Sequence, residues 1–292
     1  MTAAALSVPR SASPTWQRFR EAFRRHPTAI MGGIVLSLMV LVALLAPWLG
    51  TVDPQALSPA QRLKPPSSEH WFGTDMLGRD VYSRVVHGSR ISLTVGVAVA
   101  FLSVAVGLTI GLVTGFVRWL DAIVMRVMDG LMSIPSVLLA IALMALTKAS
   151  VGNVIAAITV AEVPRVVRLV RGLVLSLREQ PFVEAAIAAG TTLPLILTRH
   201  ILPNTVAPLL VQGTYICASA MIVEAILSFI GAGTPPNVPS WGNIMAEGRS
   251  LFQIAGYLIF FPGLFLSLTV LAVNLLGDGM RDALDPRLAR RM

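Results

Sequence analysis

The chain has 292 residues, of which 55% are hydrophobic and only 13% charged, and its mean hydropathy is +0.74. So few polar side chains cannot cover a water-facing surface, which excludes a soluble domain and predicts an integral membrane protein. The net charge of +8 is accounted for by basic loops lying against an anionic inner leaflet, and no nucleic-acid partner is needed.

Residues 1–27 read as a cytoplasmic tail. Within it Trp16, Phe19 and Phe23 share one helical face among Arg18, Arg20, Arg24 and Arg25, the pattern of an interfacial helix lying on a membrane. The first charge-free run, Thr28 to Val52, has 25 residues. That is longer than the apolar core of a signal peptide, and APWLGTVDP lacks a small-x-small cleavage pattern, so an uncleaved anchor is expected.

A loop at 51–90 follows, rich in proline at Pro54, Pro59, Pro65 and Pro66. Asp75 with Arg79, and Asp80 with Arg84, are i,i+4 pairs, which predict a short helix capped by Thr74 or Asp75 and packed on the outer face of the bundle. Further charge-free runs cover Ile91–Val117, Gly130–Thr147, a weaker one from Ala149 that Glu162 and Arg165 interrupt, Asn204–Val223 continuing past Glu224, and Ser250–Gly277. With the first they make six spans, the strong ones reaching the length that crosses a hydrocarbon core.

Between the fourth and fifth spans lies the segment 178–203. Pro181 suits a first helical position and Gly190 a left-handed end, so 181–189 is expected to form a compact helix of small side chains, a docking surface. With the N-terminus inside, 16 basic residues fall on the cytoplasmic side and 7 outside, together the 23 of the chain. The asymmetry predicts that both termini are cytoplasmic.

Glu224 and Glu162 stand within or beside spans, where an ionisable group is costly, and are candidate translocation-path residues. For Glu224 a structural hydrogen bond between helices is the alternative. The pair is also the thin basis on which a secondary transporter could be argued. The only lysines, Lys64 and Lys148, follow no glycine-rich phosphate loop, so ATP hydrolysis is not expected in this chain and it is not read as an enzyme. Cys217 is the single cysteine and lies in a span, as a small hydrophobe would. His26, His70, His87 and His200 are scattered without the spacing of a metal site, and no cofactor is expected.

The segment FVEAAIAAGTTLPLILTRHILP, Phe182 to Pro203, carries Glu184, Ala185, Ala186, Gly190, Leu202 and Pro203 at the spacing of the EAA loop of ABC-importer permeases, which it resembles. His200 stands where the general pattern has an aliphatic residue and resembles the peptide-transport branch. FGTDMLGRD, RLVRG with LSLREQPFVEAA, LSFIGAGTPPNVPSWGNIMAEGR and LLGDGMRDALDPRL are similar, in the same order, to segments of the dipeptide, oligopeptide and nickel permease family. The likeness runs from about residue 20 to the end. It departs at AEVPRVVR, where the family has an aromatic before the proline and Ala-Arg after it.

The resemblance implies an all-α polytopic protein with the type I ABC-importer permease fold. Its six-helix domain would span 28–280, with a periplasmic loop at 51–90, a cytoplasmic coupling loop at 178–203 and a cytoplasmic tail at 281–292. It implies half of a translocation pathway in a bacterial inner membrane, beside a second homologous permease. Two cytoplasmic ATPases that bind the ATP and magnesium, and an external solute-binding protein, would complete the assembly. In the loop, Glu184 would hydrogen-bond or cap, Ala185 and Ala186 would give close contact, and Gly190 would make the turn. A short peptide is the expected solute, with nickel or a nickel chelate the alternative. A bare metal would want close ligands, and the spans offer only Cys217, Glu162 and Glu224.

Overall fold

A computed structural model describes residues 27–284; the interfacial helix expected at 16–25 and the end of the C-terminal tail lie outside them. In chain order the helices are α1 (Pro27–Leu45), α2 (Val81–Phe116), α3 (Arg118–Met132), α4 (Ser136–Ala145), α5 (Val151–Arg178), α6 (Pro181–Ala188), α7 (Leu193–Ile196), α8 (Leu202–Phe229), α9 (Trp241–Gly248) and α10 (Tyr257–Leu284). A π-helical turn, Leu197–Ile201, fuses α7 to α8.

Four of these are long and apolar enough to cross a membrane, namely Pro27–Trp48, Val81–Phe116, Leu193–Phe229 and Tyr257–Ala283. The third expected span, Gly130–Thr147, is not one straight helix. α3 and α4 meet at 90°, because Ser133 closes α3 and Pro135 opens α4 where a proline ring denies the helix its next hydrogen bond. α4 alone has 10 residues, about 15 Å, so only the bent pair can count as a fifth span. α5 has 28 residues, about 42 Å, and is long enough; Glu162, Arg165, Arg168 and Arg171 set it apart from the apolar four.

α2 begins ten residues before the expected span. The loop predicted to reach residue 90 ends at Asp80, whose carboxylate caps the helix by accepting from the Ser83 amide at 2.8 Å. Nor do residues 75–79 form the expected short helix. Asp75 pairs with Arg79 as anticipated (2.6 Å), but Arg84 turns away from Asp80 to Asp75 (2.6 Å) and to Glu247 of α9 (2.5 and 2.9 Å). Asp80 meets His70 instead, at 3.1 Å. Two carboxylates and two guanidinium groups therefore neutralise one another, so Arg84 can lie almost wholly buried in the first turn of a helix. At the other terminus, α10 continues to Leu284, past the expected boundary at 280.

The packing is set by small residues. Gly107, Gly111 and Gly115 of α2 lie against Val166, Val170 and Val174 of α5, and because the two series rise together the helices run parallel. A Cβ on these glycines would come within 2.5, 2.7 and 2.5 Å of the facing valine Cβ atoms, so the backbones approach as in small-xxx-small membrane pairs. α8 runs antiparallel to α2, with Gly96 opposite Cys217 and Met221. α1 lies antiparallel on α10, Gly32 meeting Ala272 and Gly279 meeting Ala29. Arg90 ties α1 to α2 by donating to the Ala43 and Leu44 carbonyls at 2.5 and 3.0 Å, which satisfies acceptors a helix C-terminus leaves open.

The main core draws on α2, α4, α5 and α8 and reaches Val183 of α6 and Ile196 and Ile201 near α7. A second cluster sits at the N-terminal end of α2. There Trp241 is fully buried and donates from Nε1 to the Val85 carbonyl at 3.1 Å, and Phe72 stacks on Phe261 at 3.9 Å.

Candidate functional site

The segment between α5 and α8 hangs from the opposite end of the bundle. Pro181 occupies the first turn of α6 after Gln180, as its fixed φ and missing donor favour. α6 ends after Ala188, where the Ala189 amide donates to Ala185 (2.9 Å), Gly190 to Ile187 (2.9 Å) and Thr191 to Ala186 (3.0 Å). Gly190 closes the turn at φ 78°, the left-handed conformation anticipated for it. Val183 is the one buried residue of α6 and joins the core with Ile196 and Ile201. The helix is thereby held on one side only.

Its other side is bare. Phe182, Glu184, Ala185, Ile187 and Ala188 are exposed and Ala186 is half-buried. Leu193 and Leu195 extend the apolar surface beyond the turn. Glu184 lies in the first turn, where a negative charge suits the helix dipole; its side chain is exposed and, among the described residues, makes none of the hydrogen bonds within the loop that were expected of it. His200 lies in the π-turn with its ring 6.5 Å from that of Phe182, and its carbonyl accepts from Asn204 Nδ2 at 2.7 Å. Leu202 and Pro203 open α8. The structure thus carries all seven residues expected of the loop on one continuous stretch, from α6 to the first residues of α8.

The two membrane carboxylates are placed apart and share no partner. Glu162 is buried on α5 and accepts from Arg165 Nη1 at 2.9 Å. Two further arginines follow at three-residue intervals, Arg168 paired with Asp129 of α3 (2.6 Å) and Arg171 gripping Asp121 of α3 through two bonds (2.5 and 2.7 Å). The ladder fastens α3 to α5, and the bidentate pair carries the geometry that makes guanidinium–carboxylate contacts strong.

Glu224 is fully buried on α8. Its Oε1 accepts from Ser228 Oγ at 2.8 Å and from Thr234 Oγ1 at 3.5 Å, and the hydroxyls of Ser240 and Ser92 also face it. Thr234 in turn bonds Ser240 (3.3 Å) and receives Asn243 Nδ2 (2.9 Å). The cluster ties α8 to the 230–240 turn, to α9 and to α2, so hydrogen bonding between elements is what the geometry shows. Oε2 has no partner among the described residues.

Two features escaped the sequence reading. The Gly107, Gly111 and Gly115 stripe was legible as glycines four apart in an apolar run. Glu247 as the partner of Arg79 and Arg84 was not, because it lies 163 residues beyond Arg84 with no local pattern to mark it.

A helical bundle with a charge-bearing α5 and an exposed helix–turn between α5 and α8 is the architecture of a transporter's membrane subunit. Residues 104–290 match the family described as binding-protein-dependent transport system inner membrane component, and residues 14–66 match the N-terminal transmembrane domain of oligopeptide transport permease C. The chain belongs to the binding-protein-dependent ABC transporter permeases. It is 53% identical over 268 residues to a probable peptide ABC transporter permease of Sinorhizobium fredii, covering 92% of each chain. It is 41% identical over 290 residues to the glutathione transport system permease GsiD of Escherichia coli O6:K15:H31, covering 99% of this chain and 96% of that one. With the dipeptide transport system permease of Alkalihalophilus pseudofirmus the identity is 41% over 274 residues, covering 92% and 90%. Among solved structures, the MetNI methionine ABC transporter superposes with a TM-score of 0.56 at 22% identity over 69% of this chain and 97% of that chain. The fold is that of a type I ABC importer permease.

Proposed function

We propose that this permease forms half of an inner-membrane pathway for short peptides and is driven by separate cytoplasmic ATPases through α6. The observation that carries the coupling role is the one-sided anchoring of that helix. Val183 fixes it to the core while Phe182, Ala185 and Ile187 face outward, so a force applied to the exposed face is delivered to the ends of α5 and α8. Closure of an ATPase dimer can shift the permease between inward- and outward-open states only through contacts that differ between those states, and α6 offers such a contact. A second permease of the same family would supply the other half of the path, an external binding protein would deliver the solute, and ATP and magnesium would be held by the ATPases.

The peptide assignment is supported by the names of the relatives, which include peptide, dipeptide and glutathione permeases. Deleting this chain should abolish uptake of labelled di- and tripeptides while leaving nickel accumulation unchanged. The reverse pattern sinks the peptide assignment.

The distribution of basic residues, 16 against 7, supports an orientation with both termini and α6 on the cytoplasmic side. Topology reporters fused after residues 60 and 240 are expected to read outside, and fusions near 185 and at the C-terminus inside. An external reading at 185 would separate α6 from the ATP pool and end the coupling proposal.

A further inference from the structure

We propose, on the basis of the permease reading above, that Arg165 of α5 and Tyr215 of α8 form a point inside the solute path that receives the carboxylate of the passing substrate. Arg165 precedes Val166, which abuts Gly107 of α2, and Gly213, two residues before Tyr215, faces Val104. Arg165 is a central residue of α5, Val151–Arg178, while Gly107 lies about 13 Å from the midpoint of the apolar span Val81–Phe116, toward its C-terminal end. The guanidinium therefore sits within the membrane-spanning length of the bundle, on the side of the coupling loop.

Its side chain is 41% exposed and Tyr215 is 51% exposed. A charge at that depth does not face lipid; it faces water or protein. The arrangement is also directional. Glu162, 1% exposed, lies behind and holds Nη1 at 2.9 Å, while the Tyr215 ring supports the guanidinium face with its centre 5.5 Å away. Among the described residues Glu162 is the only hydrogen-bond partner of Arg165. The positive end of the pair is thus presented outward with donors to spare, in the planar form that suits a carboxylate. Cation–π support from the ring keeps the group in place, and Arg168, one turn toward the coupling loop, is taken up by Asp129, which leaves Arg165 as the guanidinium offered to the solute.

The test uses the complete transporter in membrane vesicles, with Cys217→Ala removing the native thiol and Tyr215→Cys reporting the site. A negatively charged sulfonatoethyl methanethiosulfonate and its positively charged trimethylammonium counterpart are the probes. Both should react, and the ratio of anionic to cationic rate should fall at least about fivefold on adding Arg165→Gln, because a nearby positive charge favours the anion and opposes the cation. Where Tyr215→Cys impairs assembly, Ala161→Cys, at a neutral and half-buried position one turn before Arg165, reads the same potential.

In the second arm, Arg165→Gln should lower peptide uptake at least about fivefold and Arg165→Lys, which keeps a cationic partner for Glu162, should retain part of it, with the transporter subunits still copurifying in normal amount. Failure of wild-type peptide uptake would count against the peptide assignment, whereas the thiol assay reads the site independently of it. A cysteine sealed from both reagents by lipid or by the second permease, or a rate ratio indifferent to Arg165, overturns the proposal.

Discussion

Replacing Gly111 by leucine is expected to prevent stable assembly of the helix bundle. A Cβ alone at this position would lie 2.7 Å from Val170 Cβ, 2.9 Å from its Cγ1 and 3.0 Å from the Val167 carbonyl. None of these can swing aside, since Val170 is β-branched on a helix and has one strongly preferred rotamer. Overpacking by a methyl group costs about 1–3 kcal/mol where the neighbours can adjust; leucine adds three more carbons in the same direction and forces α2 from α5. The change falls in the middle of the series at Gly107, Gly111 and Gly115, so relief at one end displaces the other.

The measurement is the yield and thermal midpoint of the detergent-solubilised chain for Gly111→Ala and Gly111→Leu, with Val170→Ala added to the first. Gly111→Ala should lower the midpoint and the second substitution should recover part of the loss, an interaction that distant sites do not show. Wild-type yield and midpoint for Gly111→Leu would mean that the two backbones are not in contact.

What the sequence revealed was whatever is encoded locally. A charge-free run is its own evidence for a span, and Pro181 and Gly190 define α6 within ten residues, so the loop was legible to within one residue of its end. The failures share a different origin. α2 starts at Val81 because Arg84 is neutralised by Asp75 and Glu247, and a rule that ends spans at charges cannot see a partner from another element. The i,i+4 spacing of Asp80 and Arg84 suggested a pair; Asp80 serves as a helix cap instead, so its Cβ and that of Arg84 never share a helical face. The bend between α3 and α4 depended on Pro135 in a stretch whose composition alone reads as continuous hydrocarbon. For the carboxylates, sequence gave the cost of burial but not its remedy. Glu162 is held by Arg165, three residues on, whereas Glu224 relies on hydroxyls from α2, α8 and the 230–240 turn, which only the fold assembles.

The second large effect is expected at α6, where two substitutions that leave the isolated chain folded should each stop transport. Ala185 is exposed, and arginine is a good helix former, so Ala185→Arg costs the permease little by itself while placing a long charged side chain on the face proposed to meet the ATPase. Gly190→Val acts differently. Nothing lies within 4 Å of the Cβ it would gain, so there is no clash; the cost is the left-handed φ of 78°, about 1–2 kcal/mol for an ordinary residue and more for a β-branched one. The turn would relax and carry α6 away from the position that Val183 and the Ile187 carbonyl define. Both variants should reach the membrane in normal amount, and peptide uptake together with binding-protein-stimulated ATP hydrolysis should fall at least about tenfold, since 1.4 kcal/mol of lost coupling already corresponds to that factor. The contrast with Gly190→Ala is informative, because alanine bears the φ cost without branching and should retain part of the activity. Normal uptake in Ala185→Arg would show that the exposed face of α6 meets no partner, and the coupling role would have to be sought elsewhere at that end of the bundle.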